Sequence, residues 1–189
     1  MAVLDIVIPE PADPPADLVS RAPRRAPGPR DRLVLVDNGK PSARVLLDLV
    51  ATDLRTRLGF SDVVMHSKPS AAKPLTGEES ARLAEGAGLM IAALGDCGAC
   101  SACSANDAIQ FERLGVPAIA VITEPFQSLV ARFAVRLGLA DVGTTVLPHP
   151  VASRSEEELA AYADRVAAVV TAEFAGSAVP PEPPAGRAG

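Results

Sequence analysis

RLVLVDNGKPSARVLLDLVATDLRTRLGFSDVVMH, Arg32 to His66, decides how this chain folds. It opens with RLVLVD (Arg32–Asp37), a short continuous apolar run of the kind expected of a parallel strand buried on both faces. After a polar turn, SARVLLDLVATDLRTRLG (Ser42–Gly59) carries apolar residues at 45, 46, 49, 50, 54 and 58. That spacing is helical, and Gly59 suits a C-terminal cap. DVVMH (Asp62–His66) is a second short strand. Strand, helix and strand in this order begin an alternation that the rest of the chain continues.

Downstream come helix GEESARLAEGA (Gly77–Ala87), strand LMIAAL (Leu89–Leu94), helix NDAIQFERLG (Asn106–Gly115) and strand PAIAVI (Pro117–Ile122). Helix FQSLVARFAVRLG (Phe126–Gly138), strand GTTVLP (Gly143–Pro148) and the long helix SEEELAAYADRVAAVVTAEF (Ser155–Phe174) complete the pattern. Five strands alternating with five helices predict a three-layer α/β domain over residues 31–175. Right-handed crossovers make the flavodoxin-like order 2-1-3-4-5 the natural topology of its parallel sheet, with helices on both faces. Residues 1–30 read as an N-terminal arm, with a short strand at Val3–Ile8, and a Pro/Arg-rich connector. The basic cluster RAPRRAPGPR (Arg21–Arg30) reads as a solvated linker, and residues 176–189 as a disordered tail.

With 189 residues, nearly half of them apolar, the chain is long enough for one well-packed domain and short for two. A net charge of −5 gives no electrostatic reason to expect nucleic acid or an anionic membrane as partner. No apolar run approaches the ~20 residues of a membrane span, and the N-terminus lacks the basic start of a signal peptide. These features predict a cytoplasmic protein acting on a small molecule. There thiols stay reduced, and a close cysteine cluster is more often catalytic or metal-binding than structural.

Ligands of such folds bind outside the carboxyl ends of the strands, near the point where strand order reverses. The strands lead in turn into DNGKP (37–41), HSKPS (66–70), GDCGACSAC (95–103), TEPF (123–126) and PHP (148–150). The turns at the opposite end are ordinary helix stops. The asymmetry gathers Asn38, Lys40, His66, Lys68, Cys97, Cys100, Cys103, Thr123, Glu124 and His149 on one rim. In that strand order DNGKP and the cysteine loop face each other.

All three cysteines lie in this loop, three residues apart. Either Ser104 caps the next helix, with Asp107 in the capping-box position, or the helix starts near Gly98. In both cases Cys97, directly after its strand, lies in the positive end of the helix, which favours a thiolate. Four readings compete. Thiol redox chemistry, with Cys97 attacking and Cys100 resolving, leads. Non-redox chemistry of lyase, hydratase or racemase type comes second. A metal or iron–sulfur site on Cys97, Cys100 and Cys103 lacks a fourth cysteine, so a Cys₃His zinc site would need His66 or His149. A plain core role conflicts with so polar and Gly-rich a stretch.

Among the supporting residues, Lys40 and Lys68 are candidates to bind an anionic substrate or stabilise a thiolate. Asn38 is a candidate oxyanion donor, although DNG is also a common turn. Thr123 and Glu124 are candidate substrate contacts, with Glu124 equally suited to cap a helix. His149, between two prolines, is a candidate acid/base. Asp96 would restrain the cysteine loop or raise the pKa of the neighbouring thiol, and Asp107 would cap rather than catalyse.

GDCGACSACSANDAIQFERLGVPAIAVITEPF, together with DNGKPSARVLLD and VLPHP, resembles the UGSC-motif family of thioredoxin-like selenoproteins and their cysteine homologues. The resemblance runs from about Leu33 to Pro150. Cys97 stands at the selenocysteine position, Gly98 and Cys100 match, and Ala99 replaces the motif's serine. The resemblance implies that the Cys97 sulfur is the atom that reacts. A more distant likeness to one half of the aspartate/glutamate racemase fold implies that a homodimer, or a homologous partner subunit, would complete a two-half site.

Overall fold

The computed structural model describes residues 18–28 and 30–175. The expected strand at Val3–Ile8 and the expected tail from Gly176 lie outside these residues. The elements run β1 (Arg32–Asp37), α1 (Ala43–Leu58), β2 (Asp62–Ser67), α2 (Gly77–Ala84), β3 (Ala87–Gly95) and α3 (Gly98–Arg113). They continue with β4 (Ala118–Thr123), α4 (Gln127–Arg136), β5 (Gly143–Leu147) and α5 (Glu156–Ala175). All strand pairs are parallel, in the order β2-β1-β3-β4-β5. This is the expected flavodoxin-like α/β arrangement.

Strand alternation divides the core into two layers. Leu33, Leu35, Leu89 and Ile91 face Leu46, Leu47, Val50 and Leu54 of α1 and Val166 and Val170 of α5. Val34, Val36, Met90 and Ala92 face Leu83 of α2, Ala108, Ile109 and Phe111 of α3, and Val130 and Ala134 of α4. Local signals set the helix ends. Gly59 takes the left-handed conformation (φ 77°) after α1, and Thr76 with Glu79 forms a reciprocal capping box at α2. Ser155 and Glu158 make the same exchange at the start of α5.

Two boundaries differ from expectation by more than two residues. β3 begins at Ala87, so α2 stops at Ala84 rather than Ala87. α3 begins at Gly98, the earlier of its two possible starts and eight positions before Asn106. Ser104 does not cap it; that side chain is buried in mid-helix.

The basic connector is not a solvated linker. Arg24, only 8% exposed, sends Nη2 to Oε1 of the fully buried Glu112 at 2.6 Å and Nη1 to its Oε2 at 3.0 Å. Arg21 pairs with Glu173 of α5, and the Val19 N–H donates to the Gly138 carbonyl at 2.8 Å. A carboxylate as deep as Glu112 requires a partner, and the connector supplies it. Among the described residues, no helix is long and apolar enough to cross a membrane.

Candidate functional site

The cysteine loop grows directly out of β3. Gly95 ends the strand where a Cβ would lie 2.7 Å from Cγ2 of Ile122 and 2.8 Å from Oγ of Ser101. Only glycine lets β3, β4 and the first turn of α3 meet this closely. Cys97, in extended conformation, is the N-cap of α3, and its Sγ accepts the Cys100 N–H at 3.2 Å. Its carbonyl accepts the Ser101 hydroxyl at 2.7 Å. Cys97 and Cys100 are joined by a disulfide, with Cα atoms 5.4 Å apart. Cys97 is partly exposed at the rim, while Cys100 is fully buried beneath it.

Cys103 stays free and does not join them. It lines a hollow of about 230 Å³ with Pro74, Ala102, Asn106 and Phe133. Burial pushes its thiol above the ordinary value, against the pull of the Lys68 ammonium and with the push of Asp107. With two sulfurs bonded to each other and the third in a separate hollow, the cysteines do not form a three-thiolate cradle. Among the described residues no group of three His, Cys, Asp or Glu side chains is placed to hold a metal ion.

Lys68 is not free to meet a substrate. Its Nζ lies 2.6 Å from Oδ2 of Asp107, and both side chains are at most 3% exposed. Oδ1 of Asp107 accepts the Leu75 N–H at 2.7 Å. Asp107 therefore anchors the loop after β2 to α3 instead of capping the helix. Burial raises its carboxyl pKa, while the Lys68 charge and the two hydrogen bonds oppose the rise.

Asn38 is likewise occupied by structure. Its Nδ2 donates to the Leu94 carbonyl at 2.9 Å and its Oδ1 accepts the Lys40 N–H at 3.2 Å. Asp37 accepts from the Gly39 N–H and the Ser67 hydroxyl, which completes a tight turn with Gly39 at φ 75°. The turn leaves Lys40 half-exposed at the end of β1. Glu124 is exposed at the start of a 3₁₀ turn, Glu124–Phe126, before α4. His66 sits on edge strand β2 facing Glu79, with Nε2 4.0 Å from that carboxylate.

The rim's second chemical centre joins β3, β4 and β5. His149 Nδ1 lies 2.9 Å from Oδ1 of Asp96 and 3.1 Å from Oγ1 of Thr123. Thr123 is fully buried, and its hydroxyl donates to the Gly95 carbonyl at 3.1 Å. Asp96 also accepts the N–H groups of Val151 (3.3 Å) and Ala152 (3.1 Å). Phe126 meets the imidazole edge-on, with ring centroids 5.8 Å apart. The sequence placed His149 and Thr123 on the rim but gave Asp96 no part in holding the imidazole. The available signal was an aspartate directly between a strand end and the cysteines, with strand order bringing β5 to the same rim.

The family model of the UGSC family matches residues 5–176. No curated protein matches the chain. Among solved structures, a diflavin flavoprotein A3 from Nostoc sp. is 14% identical, with a TM-score of 0.45 over 76% of this chain and 94% of its own. A flavodoxin-like domain from a Synechococcus sp. protein is 14% identical, with a TM-score of 0.44 over 78% of this chain and 100% of its own.

Proposed function

The chain belongs to the UGSC family, and from that premise we propose that it is a thiol–disulfide oxidoreductase in which Cys97 attacks and Cys100 resolves. One observation carries the reading: the two sulfurs are bonded to each other at the N-terminal end of α3, at the carboxyl ends of the strands of a parallel sheet, where ligands of such sheets generally bind. The partly exposed sulfur belongs to the residue that the family resemblance singles out. The buried one is shielded from every electrophile except a mixed disulfide on Cys97.

Reduced, the site holds a thiolate at a helix N-terminus, where unpaired N–H groups and the helix dipole favour negative charge. The Cys97 thiolate attacks one sulfur of a disulfide, and the other sulfur leaves with the electron pair. Cys100 then attacks Cys97, releasing the second thiol and closing the Cys97–Cys100 disulfide. Two electrons pass to the substrate, and a dithiol reductant restores the starting state. Lys40 and the α3 N-terminus suit a small anionic substrate, and the need for reductant suits the cytoplasm.

The test is intact mass analysis of Cys100→Ser, reduced and then mixed with glutathione disulfide. A stable glutathione adduct on Cys97 is expected, whereas the native protein should pass on to its internal disulfide. Absence of the adduct, or unchanged glutathione release from Cys97→Ser, would refute the reading.

A further inference from the structure

We propose that His149 is the general acid of this site, giving its Nε2 proton to the sulfur that leaves when Cys97 attacks, and that Asp96 is the residue positioning it. The proposal rests on the dithiol reading above and adds the proton that reading leaves unassigned.

The contacts at Nδ1 favour a proton on that nitrogen. A carboxylate is negatively charged and cannot donate, so Asp96 Oδ1 at 2.9 Å stabilises, as an ion-pair contact, the ring forms that carry a proton on Nδ1. With the Thr123 hydroxyl giving its proton to the Gly95 carbonyl, its oxygen accepts from Nδ1 at 3.1 Å. Both contacts hold whether the ring is neutral or charged. With Nδ1 so engaged, Nε2 is the nitrogen left to face a reacting group, and among the described residues it has no hydrogen-bond partner. The imidazole is 37% exposed, which leaves that edge open on the rim.

Asp96 is itself immobilised. Its side chain is 4% exposed, and the Val151 and Ala152 N–H groups hold it from the β5 side. It immediately precedes Cys97, so one carboxylate ties the imidazole to the loop carrying the nucleophile. Supporting shells of this kind decide whether a proton donor is pre-aligned.

The chemistry calls for an acid rather than a base. A Cys97 thiolate needs no deprotonation to attack R–S–S–R′. The Cys97–S–R bond forms, the S–S bond breaks, and R′S⁻ departs with the electron pair. His149 supplies Nε2–H to make R′SH and becomes neutral, then regains a proton from water. Leaving-group basicity controls such exchanges, so help is needed for an alkyl thiolate and little for an aryl one.

The experiment compares two anionic probes in single turnover with reduced protein: glutathione disulfide, an alkyl disulfide, and 5,5′-dithiobis(2-nitrobenzoate), an aryl disulfide. His149→Gln should slow the alkyl reaction by about 10²-fold, the low end for general acid catalysis, and the aryl reaction by less than about twofold. Asp96→Asn should repeat the alkyl-selective pattern at smaller size. Thr123→Val, which leaves both backbone bonds to Asp96 in place, should do the same. Equal loss on both probes from His149→Gln, or no loss on either, overturns the proposal. Failure of the dithiol reading has a different signature, since Cys97→Ser would then keep its rate on both probes.

Discussion

Lys68 Nζ and Asp107 Oδ2 sit 2.6 Å apart with both side chains withdrawn from water, joining the loop after β2 to the middle of α3. Removing one partner leaves a buried charge uncompensated, which costs about 3–5 kcal/mol. Lys68→Ala should lower the urea unfolding free energy by that order. The pair Lys68→Met with Asp107→Leu should cost markedly less than the sum of the single changes, although the Leu75 N–H still loses its acceptor. Additive losses would show that the two side chains are not coupled. The same contact explains why Lys68 is unsuited to bind substrate.

Arg24 makes a second test of burial. Glu112 takes both terminal guanidinium nitrogens of Arg24 and the N–H groups of Ala22 and Ala118. Arg24→Ala should destabilise by about 3–5 kcal/mol and expose residues 18–28 to limited proteolysis. Arg25, whose side chain is 61% exposed beside Asp31, is the control, and Arg25→Ala should cost less than about 1 kcal/mol. Equal effects from the two arginines would contradict a docked connector.

Cys103 should be the slow thiol. Only the thiolate is alkylated, and burial raises the Cys103 pKa. Iodoacetamide should therefore modify Cys97 of the reduced protein well before Cys103 at neutral pH. The rate profile at Cys103 should have its midpoint above the ordinary thiol value, and a midpoint at or below that value would contradict its half-buried setting. Linkage has a matching sign. The folded protein favours the protonated thiol, so this contribution to stability is complete below the unfolded thiol pKa. It is lost as pH rises through the raised folded value.

The strands were legible because a sheet buried on both faces writes itself as short apolar runs, as in Leu33–Val36 and Ala118–Ile122. The rim came from strand order. The start of α3 was harder to see, because its first turns hold Gly, Ala, Ser and Cys with little periodicity and pack by small size against β3 and β4. Which rim residues pair was also hidden. Asn38 and Lys68 look in sequence like free polar groups, and only three-dimensional neighbours reveal that Leu94 and Asp107 use them. The Asp96–His149 contact spans β3 to β5 across the end of β4, a separation no local pattern encodes. The RAPRR segment misled for the same reason, since its partner Glu112 is buried on α3.

Gly95 connects fold and chemistry. Its hydrogen faces Ile122 and Ser101 where a methyl group would stand 2.7 and 2.8 Å from their side-chain atoms, with the Ile122 backbone at 3.1 Å. The Ser101 hydroxyl is already committed to the Cys97 carbonyl, and the Gly95 carbonyl takes the Thr123 hydroxyl that also contacts His149. Gly95→Ala must therefore push α3 or β4 outward, disturbing the cysteine loop and the imidazole mount together. Overpacking of this kind costs about 1–3 kcal/mol. Chemical denaturation should show that loss, and turnover of glutathione disulfide should fall further than stability alone explains at temperatures where the variant is fully folded. Gly98→Ala offers the comparison. There a methyl would meet only Leu129 Cδ1 at 3.7 Å, an ordinary contact, and folding should change by less than about 0.5 kcal/mol. A Gly95→Ala protein with native stability and native turnover would mean that the close approach of β3, β4 and α3 does not hold the site in shape.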